Sequence, residues 1–120
     1  MSYVCNCKVE FIRKKGYQNL ADWCNDPNNV YIGRRGIVFI EGQRFPKEDS
    51  FFANPYKVGK DGDLEQVLKK YYDYITNKPE VVTKLREIKG KNLGCWCVET
   101  NQMYHITCHG QVLLFLMQYV

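Results

Sequence analysis

Residues 63–96, DLEQVLKKYYDYITNKPEVVTKLREIKGKNLGCW, decide the fold. Asp63 is a helix N-cap residue type, and Leu64, Val67, Leu68, Tyr71, Tyr72 and Ile75 follow at spacings of three and four. That pattern makes one apolar stripe on a helix running to about Asn77. Pro79 suits the first turn of a second helix, with Val82, Leu85 and Ile88 turned inward and Gly90 as its stop. Residues 92–96 then read as a short strand. An earlier strand, Val30-Tyr31-Ile32-Gly33, lies upstream of both helices. Strand, crossover helices and strand favour a parallel pair, because parallel neighbours need a long connection. The expected architecture is a small α/β, Rossmann-like layered fold: a mostly parallel sheet of three to five strands flanked by helices, in one domain over residues 1–120.

Upstream, residues 2–9 alternate, with Tyr3, Cys5, Cys7 and Val9 on one side, as in a half-buried strand with two small cysteines as core fillers. Arg13-Lys14-Lys15-Gly16 reads as a polar turn, and residues 19–23 as a short helix capped by Asn19. Residues 36–40 are β-branched and apolar and predict a further strand or hairpin arm. Residues 43–62 show no clear period, and a stretch of that length is often functional in a small domain. Downstream, residues 110–120 form an apolar helix with Val112, Leu113, Leu116 and Val120 on its core face.

With 120 residues, 45% hydrophobic and 25% charged, the chain has a globular composition, which excludes disordered, collagenous and coiled-coil classes. No apolar run reaches the roughly 18 residues of a membrane span. The opening Met-Ser-Tyr-Val-Cys-Asn-Cys-Lys lacks the apolar core of a signal peptide, so the expected location is the cytoplasm. Seventeen Lys and Arg against thirteen Asp and Glu give +4, a mild excess that suits a small anionic ligand as well as a polymer. Basic residues cluster at Arg13-Lys14-Lys15, at Arg34-Arg35 and at Lys84, Arg86, Lys89 and Lys91. Six cysteines are too few for a disulfide scaffold, and reduced thiols are expected.

The strongest chemical constellation is Gly94-Cys95-Trp96-Cys97, a loop, and Thr107-Cys108-His109-Gly110 opening the last helix. In an open α/β sheet, ligands bind beyond the carboxyl ends of the strands, near helix N-termini. With Thr107 as N-cap, the unpaired N–H groups and positive dipole of that helix start would favour a phosphate. The same field would lower the pKa of the Cys108 thiol, and His109 could donate to phosphate or act as acid or base. His105 is the better-placed base for a Cys108 nucleophile, since neighbouring Cys108 and His109 diverge on a helix. Cys95, Cys97, Cys108 and His109 are also chemically suitable zinc ligands. Their spacing is unlike a zinc finger or ribbon, which makes zinc the less favoured reading, and no metal ligand is assigned. Cys5 and Cys7 read as structural.

A second constellation joins Gly33 and Arg34 to Phe52-Ala53-Asn54-Pro55-Tyr56-Lys57. Arg34 leaves a strand end with a fork that suits phosphate. Asn54 could read a base or sugar edge or simply form a turn, and Phe52 and Tyr56 could stack on a base or close the core. Walker, G-x-G-x-x-G, G-x-S-x-G and HExxH patterns are all missing.

Val30-Tyr31-Ile32-Gly33-Arg34, Phe52-Ala53-Asn54-Pro55-Tyr56-Lys57-Val58-Gly59-Lys60-Asp61-Gly62, Gly90-Lys91-Asn92-Leu93-Gly94-Cys95-Trp96-Cys97 and Cys108-His109-Gly110 occur in this order. In this the chain resembles the family Domain of Unknown Function 4326 over about residues 28–119. The resemblance implies a common fold and an origin among phage, large-DNA-virus and bacterial proteins, hence a host cytoplasm if viral. Two departures stand out. The loop at residues 98–107 is longer than the family's and lacks its proline, and Gln111 stands where an acidic residue commonly follows Cys-His-Gly.

The expected function is binding, with processing left open, of a nucleotide or nucleotide-derived phosphate ligand. Gly33, Arg34, Asn54, Lys57, Cys95, Cys97 and Gly110 would hold it, and Cys108 or His109 would do any chemistry. The alternatives are a nucleic-acid-binding accessory protein and a zinc-stabilised structural module. No membrane partner is expected.

Overall fold

The computed structural model describes residues 2–96 and 108–120. Three strands, β1 (Tyr3–Asn6), β2 (Asn29–Tyr31) and β5 (Asn92–Cys95), form one parallel sheet in the order β1-β5-β2. The central β5 pairs Gly94 with Cys5 on one side and with Tyr31 on the other. A second, two-stranded sheet is the antiparallel hairpin of β3 (Val38–Ile40) and β4 (Gln43–Phe45). Its turn is Glu41-Gly42, both at positive φ, as a tight two-residue hairpin requires.

Five helices among the described residues cover the parallel sheet. α1 (Val9–Lys14) and α2 (Leu20–Asn25) lie between β1 and β2; α3 (Leu64–Thr76) and α4 (Val81–Ile88) precede β5, and α5 (His109–Met117) follows it. Strand alternation divides the core into two layers. Ile32, Leu93 and Cys95 face Leu68, Tyr71, Ile75, Leu85, Ile88, Leu113 and Met117. Cys5 and Cys7 face Ile12, Leu20 and Trp23. The arrangement is helix–sheet–helix, the Rossmann-like layering expected from the strand–crossover–strand pattern. No helix among the described residues is long and apolar enough to cross a membrane.

Local chemistry explains the boundaries. Asp63 caps α3 by accepting from the Gln66 N–H (2.8 Å), while the Gln66 amide oxygen accepts from the Asp63 N–H (2.9 Å). Asn19 caps α2 by accepting from the Asp22 N–H (2.9 Å). Two elements depart from the sequence pattern. The strand alternation stops at Cys7, whose N–H donates to the Cys95 carbonyl, and the turn expected at residues 13–16 is the end of α1. Helix α1 buries only Ile12, which is too little to set up a helical period. Residues 43–45, expected to be irregular, form β4 because β3 supplies their partners.

On α4 the inward stripe is Val81, Leu85 and Ile88, with Val82 exposed instead of buried. Spacings of four and three keep the first three within about 60° of arc, whereas Val82 stands about 100° round the helix from Val81. In α5, Val112, Leu113 and Met117 are buried, Leu116 is partly buried and Phe115 is exposed.

Gly94 is the tightest point of the sheet. A Cβ there would overlap the Cys7 sulfur and the Trp23 ring. Gly94→Ala is therefore expected to lower the urea midpoint by the equivalent of about 1–3 kcal/mol through overpacking, with native-like circular dichroism at zero denaturant.

Candidate functional site

Because β2 and β5 run parallel and in register, their carboxyl ends release Ile32-Gly33-Arg34 and Trp96 side by side. Above them lies a cavity of about 400 Å³, within the range of small-molecule sites. Its polar rim and floor carry Gly33, Arg34, Asn54, Lys57, Trp96, Cys108 and His109, and Tyr31, Ile37, Tyr56, Leu64, Val67 and Leu68 form apolar walls. Cys95 also lines it, whereas Gly110 does not. Gly110 instead lets α5 approach the sheet, since a Cβ would stand 2.9 Å from the Ile32 and Val4 methyl groups. Cys97, His105, Thr107 and the loop at residues 98–107 lie outside the described residues.

Gly33 is held bare by Tyr31, whose ring occupies the space a Cβ would need. The Tyr31 hydroxyl donates to the Arg34 carbonyl (2.8 Å), which fixes the strand exit. Arg34 then reaches across to the 52–57 loop. Its Nε donates to the Asn54 carbonyl (2.8 Å) and its Nη2 to the Tyr56 carbonyl (3.0 Å). Two of the five guanidinium N–H groups thus clamp the loop, and the other three have no acceptor among the described residues. Asn54 is likewise divided between structure and availability. Its Oδ1 accepts from the Tyr56 N–H (2.9 Å) in an Asx turn, which leaves the Nδ2 amide with no acceptor among the described residues. The exposed ammonium of Lys57 stands at the cavity rim. Phe52 belongs to the core, and its carbonyl accepts from the buried Tyr71 hydroxyl (2.6 Å).

The start of α5 differs from the expected cap. Cys108 itself is the N-cap: its Sγ accepts from the Gly110 N–H (3.3 Å), and the Gln111 amide oxygen accepts from the Cys108 N–H (3.4 Å). Gln111 thereby fills a capping role at the position where the family pattern carries an acid. The Gly110 and Gln111 N–H groups are consumed inside the turn, the latter by the Cys108 carbonyl (3.0 Å). Anion binding through these two amides is closed off. Cys5, Cys7, Cys24 and Cys95 carry reduced thiols, but Cys108 is disulfide-bonded, contrary to the expectation of a reduced, activated thiolate. Burial pushes the Cys24 thiol up to about 11, and it pushes the Cys7 thiol further still.

His109 is buried, 6% exposed, with its ring edge-on to Tyr71 at 5.0 Å between centroids. Its Nε2 lies 2.8 Å from the Ile32 carbonyl, a pure acceptor, so Nε2 carries the proton and Nδ1 the lone pair. Nδ1 is 3.6 Å from the Cys108 sulfur. Desolvation lowers the His109 pKa from 6.5 to about 4; the hydrogen bond to Ile32 opposes the shift, and the Arg34 charge adds to it. At neutral pH the imidazole is therefore uncharged, and its one N–H is already engaged. The expected donation to phosphate is therefore not available to it.

Arg34 and His109 line the same cavity, as a site shared between the two constellations requires. The residue types alone did not mark Trp96 as a ligand contact; its one signal in the sequence is its place beside Cys95 at the end of β5. No carboxylate lines the cavity among the described residues, so cationic and neutral donors dominate it. No three His, Cys, Asp or Glu side chains gather as a metal site among the described residues.

The buried neutral imidazole has a measurable consequence. As pH falls, the unfolded chain takes up this proton before the folded one does, so its contribution to stability is complete above pH 6.5. It is lost as pH falls toward 4, by an amount approaching ~3 kcal/mol. In His109→Gln, whose amide can still donate to the Ile32 carbonyl, urea midpoints between pH 5 and 6.5 should lose most of the slope seen in the wild type.

No curated protein and no solved structure matches the chain. Residues 16–119 match the family described as a domain of unknown function, DUF4326. That span takes in every cavity-lining residue named above, from Tyr31 to His109, and the chain belongs to this family.

Proposed function

We propose that the cavity binds a small phosphate-bearing ligand of the nucleotide class. The observation that carries this reading is the convergence, in one cavity, of Arg34, Lys57 and the Asn54 amide with an aromatic and aliphatic wall and no lining carboxylate among the described residues. A phosphate monoester is mostly dianionic at neutral pH, offers chiefly acceptor oxygens, and suits a site whose described side chains are mostly donors. The three uncommitted N–H groups of Arg34 and the Lys57 ammonium would take it. A base would lie against the Tyr56 or Trp96 ring, with Asn54 Nδ2 donating to a base or sugar acceptor. A Cys108 nucleophile would first require reduction of its disulfide.

The basic clusters at residues 13–15 and 84–91 do not line this cavity. That favours a small ligand over a nucleic-acid strand, whose binding would draw on such clusters.

Thermal-shift and calorimetric titration with the four ribonucleoside 5′-monophosphates, their nucleosides, inorganic phosphate and a short oligonucleotide tests the reading. At least one monophosphate should raise Tm in proportion to the logarithm of its concentration, with the matching nucleoside much weaker. Lys57→Ala should weaken that binding about three- to fivefold, as befits an exposed charge, and leave the Tm of the free protein unchanged. Stabilisation by none of the four monophosphates would overturn the proposal. Strongly salt-dependent oligonucleotide binding that Lys57→Ala leaves untouched would replace it with the nucleic-acid reading.

A further inference from the structure

The Trp96 indole Nε1 is buried and has no hydrogen-bond partner, the sole such side-chain atom among the described residues. Trp96 leaves the carboxyl end of β5 next to Gly33 and lines the cavity together with Arg34, Asn54 and His109. An indole N–H only donates, so nothing about the residue itself can satisfy the group. A buried donor without an acceptor is costly, and native structures rarely keep one without a reason. The neighbouring donors point the same way. The Asn54 Nδ2 and three Arg34 N–H groups also have no acceptor among the described residues, while Asn54 Oδ1, an acceptor, is already used by the Tyr56 N–H. The cavity's described side chains thus offer donors in excess, and an occupant would have to bring the acceptors.

We infer that Trp96 is a ligand-binding residue whose Nε1–H donates to an acceptor atom of the bound molecule, and that this occupant is an acceptor-rich nucleoside monophosphate. The inference rests on the nucleotide reading and adds to it a residue and a polarity: the ligand accepts where Trp96 donates. The indole therefore discriminates by chemistry as well as by shape, since a molecule that leaves the N–H unpaired loses the hydrogen bond and keeps the desolvation cost.

The test uses the full chain and the tightest-binding of the four ribonucleoside monophosphates. The sequence has two tryptophans, so a ¹H–¹⁵N spectrum shows two indole signals, and loss of one in Trp96→Phe assigns them. On titration into the wild type, the Trp96 signal should move downfield as its proton becomes hydrogen-bonded, while that of the core residue Trp23 stays. Trp96→Phe keeps an aromatic ring but lacks the donor. It should bind the monophosphate roughly tenfold more weakly while its own Tm stays level or rises, because an unpaired buried donor has been removed. A purely structural tryptophan would instead lower Tm and leave affinity unchanged in the folded fraction.

If the wild type binds a monophosphate but the Trp96 signal stays in place, or the variant binds as tightly, the role given to Trp96 is overturned and the nucleotide reading stands. If the wild type binds none of the four, both fall together. Titration of the wild type decides between these outcomes even if Trp96→Phe does not fold, because one indole signal then moves or neither does.

Discussion

The structure depends on β5 being paired in parallel on both of its edges. Parallel neighbours on each side bury a strand completely and leave no room for polar side chains, and residues 93–95 are accordingly Leu, Gly and Cys. The same pairing aligns the carboxyl ends of β2 and β5, which is where the cavity opens. Gly94 couples the two consequences. Its missing side chain admits the Cys7 sulfur and the Trp23 ring from one layer, while Leu93 and Cys95 on either side point into the other. The residue that makes the core close is thus two positions from the tryptophan that lines the cavity.

Around that opening, the residues that build the site also hold it together. Arg34 clamps the 52–57 loop through two carbonyls, and that loop is positioned further by the Tyr71 hydroxyl on the Phe52 carbonyl. His109 ties α5 to the exit of β2 through the Ile32 carbonyl. A clamp made by a cation is costly to bury unless its charge remains partly solvated or finds a counter-charge. Arg34 is half-buried, and no carboxylate lines the cavity among the described residues. Its charge instead helps to keep His109 neutral, so the cavity sets a permanent cation beside an uncharged imidazole.

Much of this was legible in the chain. Asp63 and Asn19 announce their helices because a cap is a local interaction, settled within three residues. The parallel sheet follows from two crossover helices placed between short apolar strands. What was not legible depends on partners distant in sequence. β4 exists because β3 pairs with it, and α1 because Ile12 finds Leu20 and Trp23. The site was legible as a set of residue types, and less so in their roles. Arg34 reads as a phosphate fork, yet two of its donors serve the loop. Gly110 reads as a ligand contact but allows close packing against Val4 and Ile32. Cys108 reads as a nucleophile but is a helix cap in a disulfide.

Two buried polar groups in this fold differ in how they are satisfied. Asn29 is 7% exposed, and its amide nitrogen donates to the Trp23 carbonyl (3.0 Å) and the Tyr17 hydroxyl (3.2 Å). Its Oδ1 accepts from Asn92 Nδ2 (2.9 Å), which bridges β2 to the central strand. Every part of that group is answered by the protein, so it is part of the scaffold and asks for nothing further. Trp96 Nε1 is as hidden but has no partner, and it sits where the sheet opens rather than where it closes. Energy alone ranks the two. A satisfied buried group lowers the energy of the fold, whereas an unsatisfied one raises it, and here that cost falls on a residue that lines the cavity.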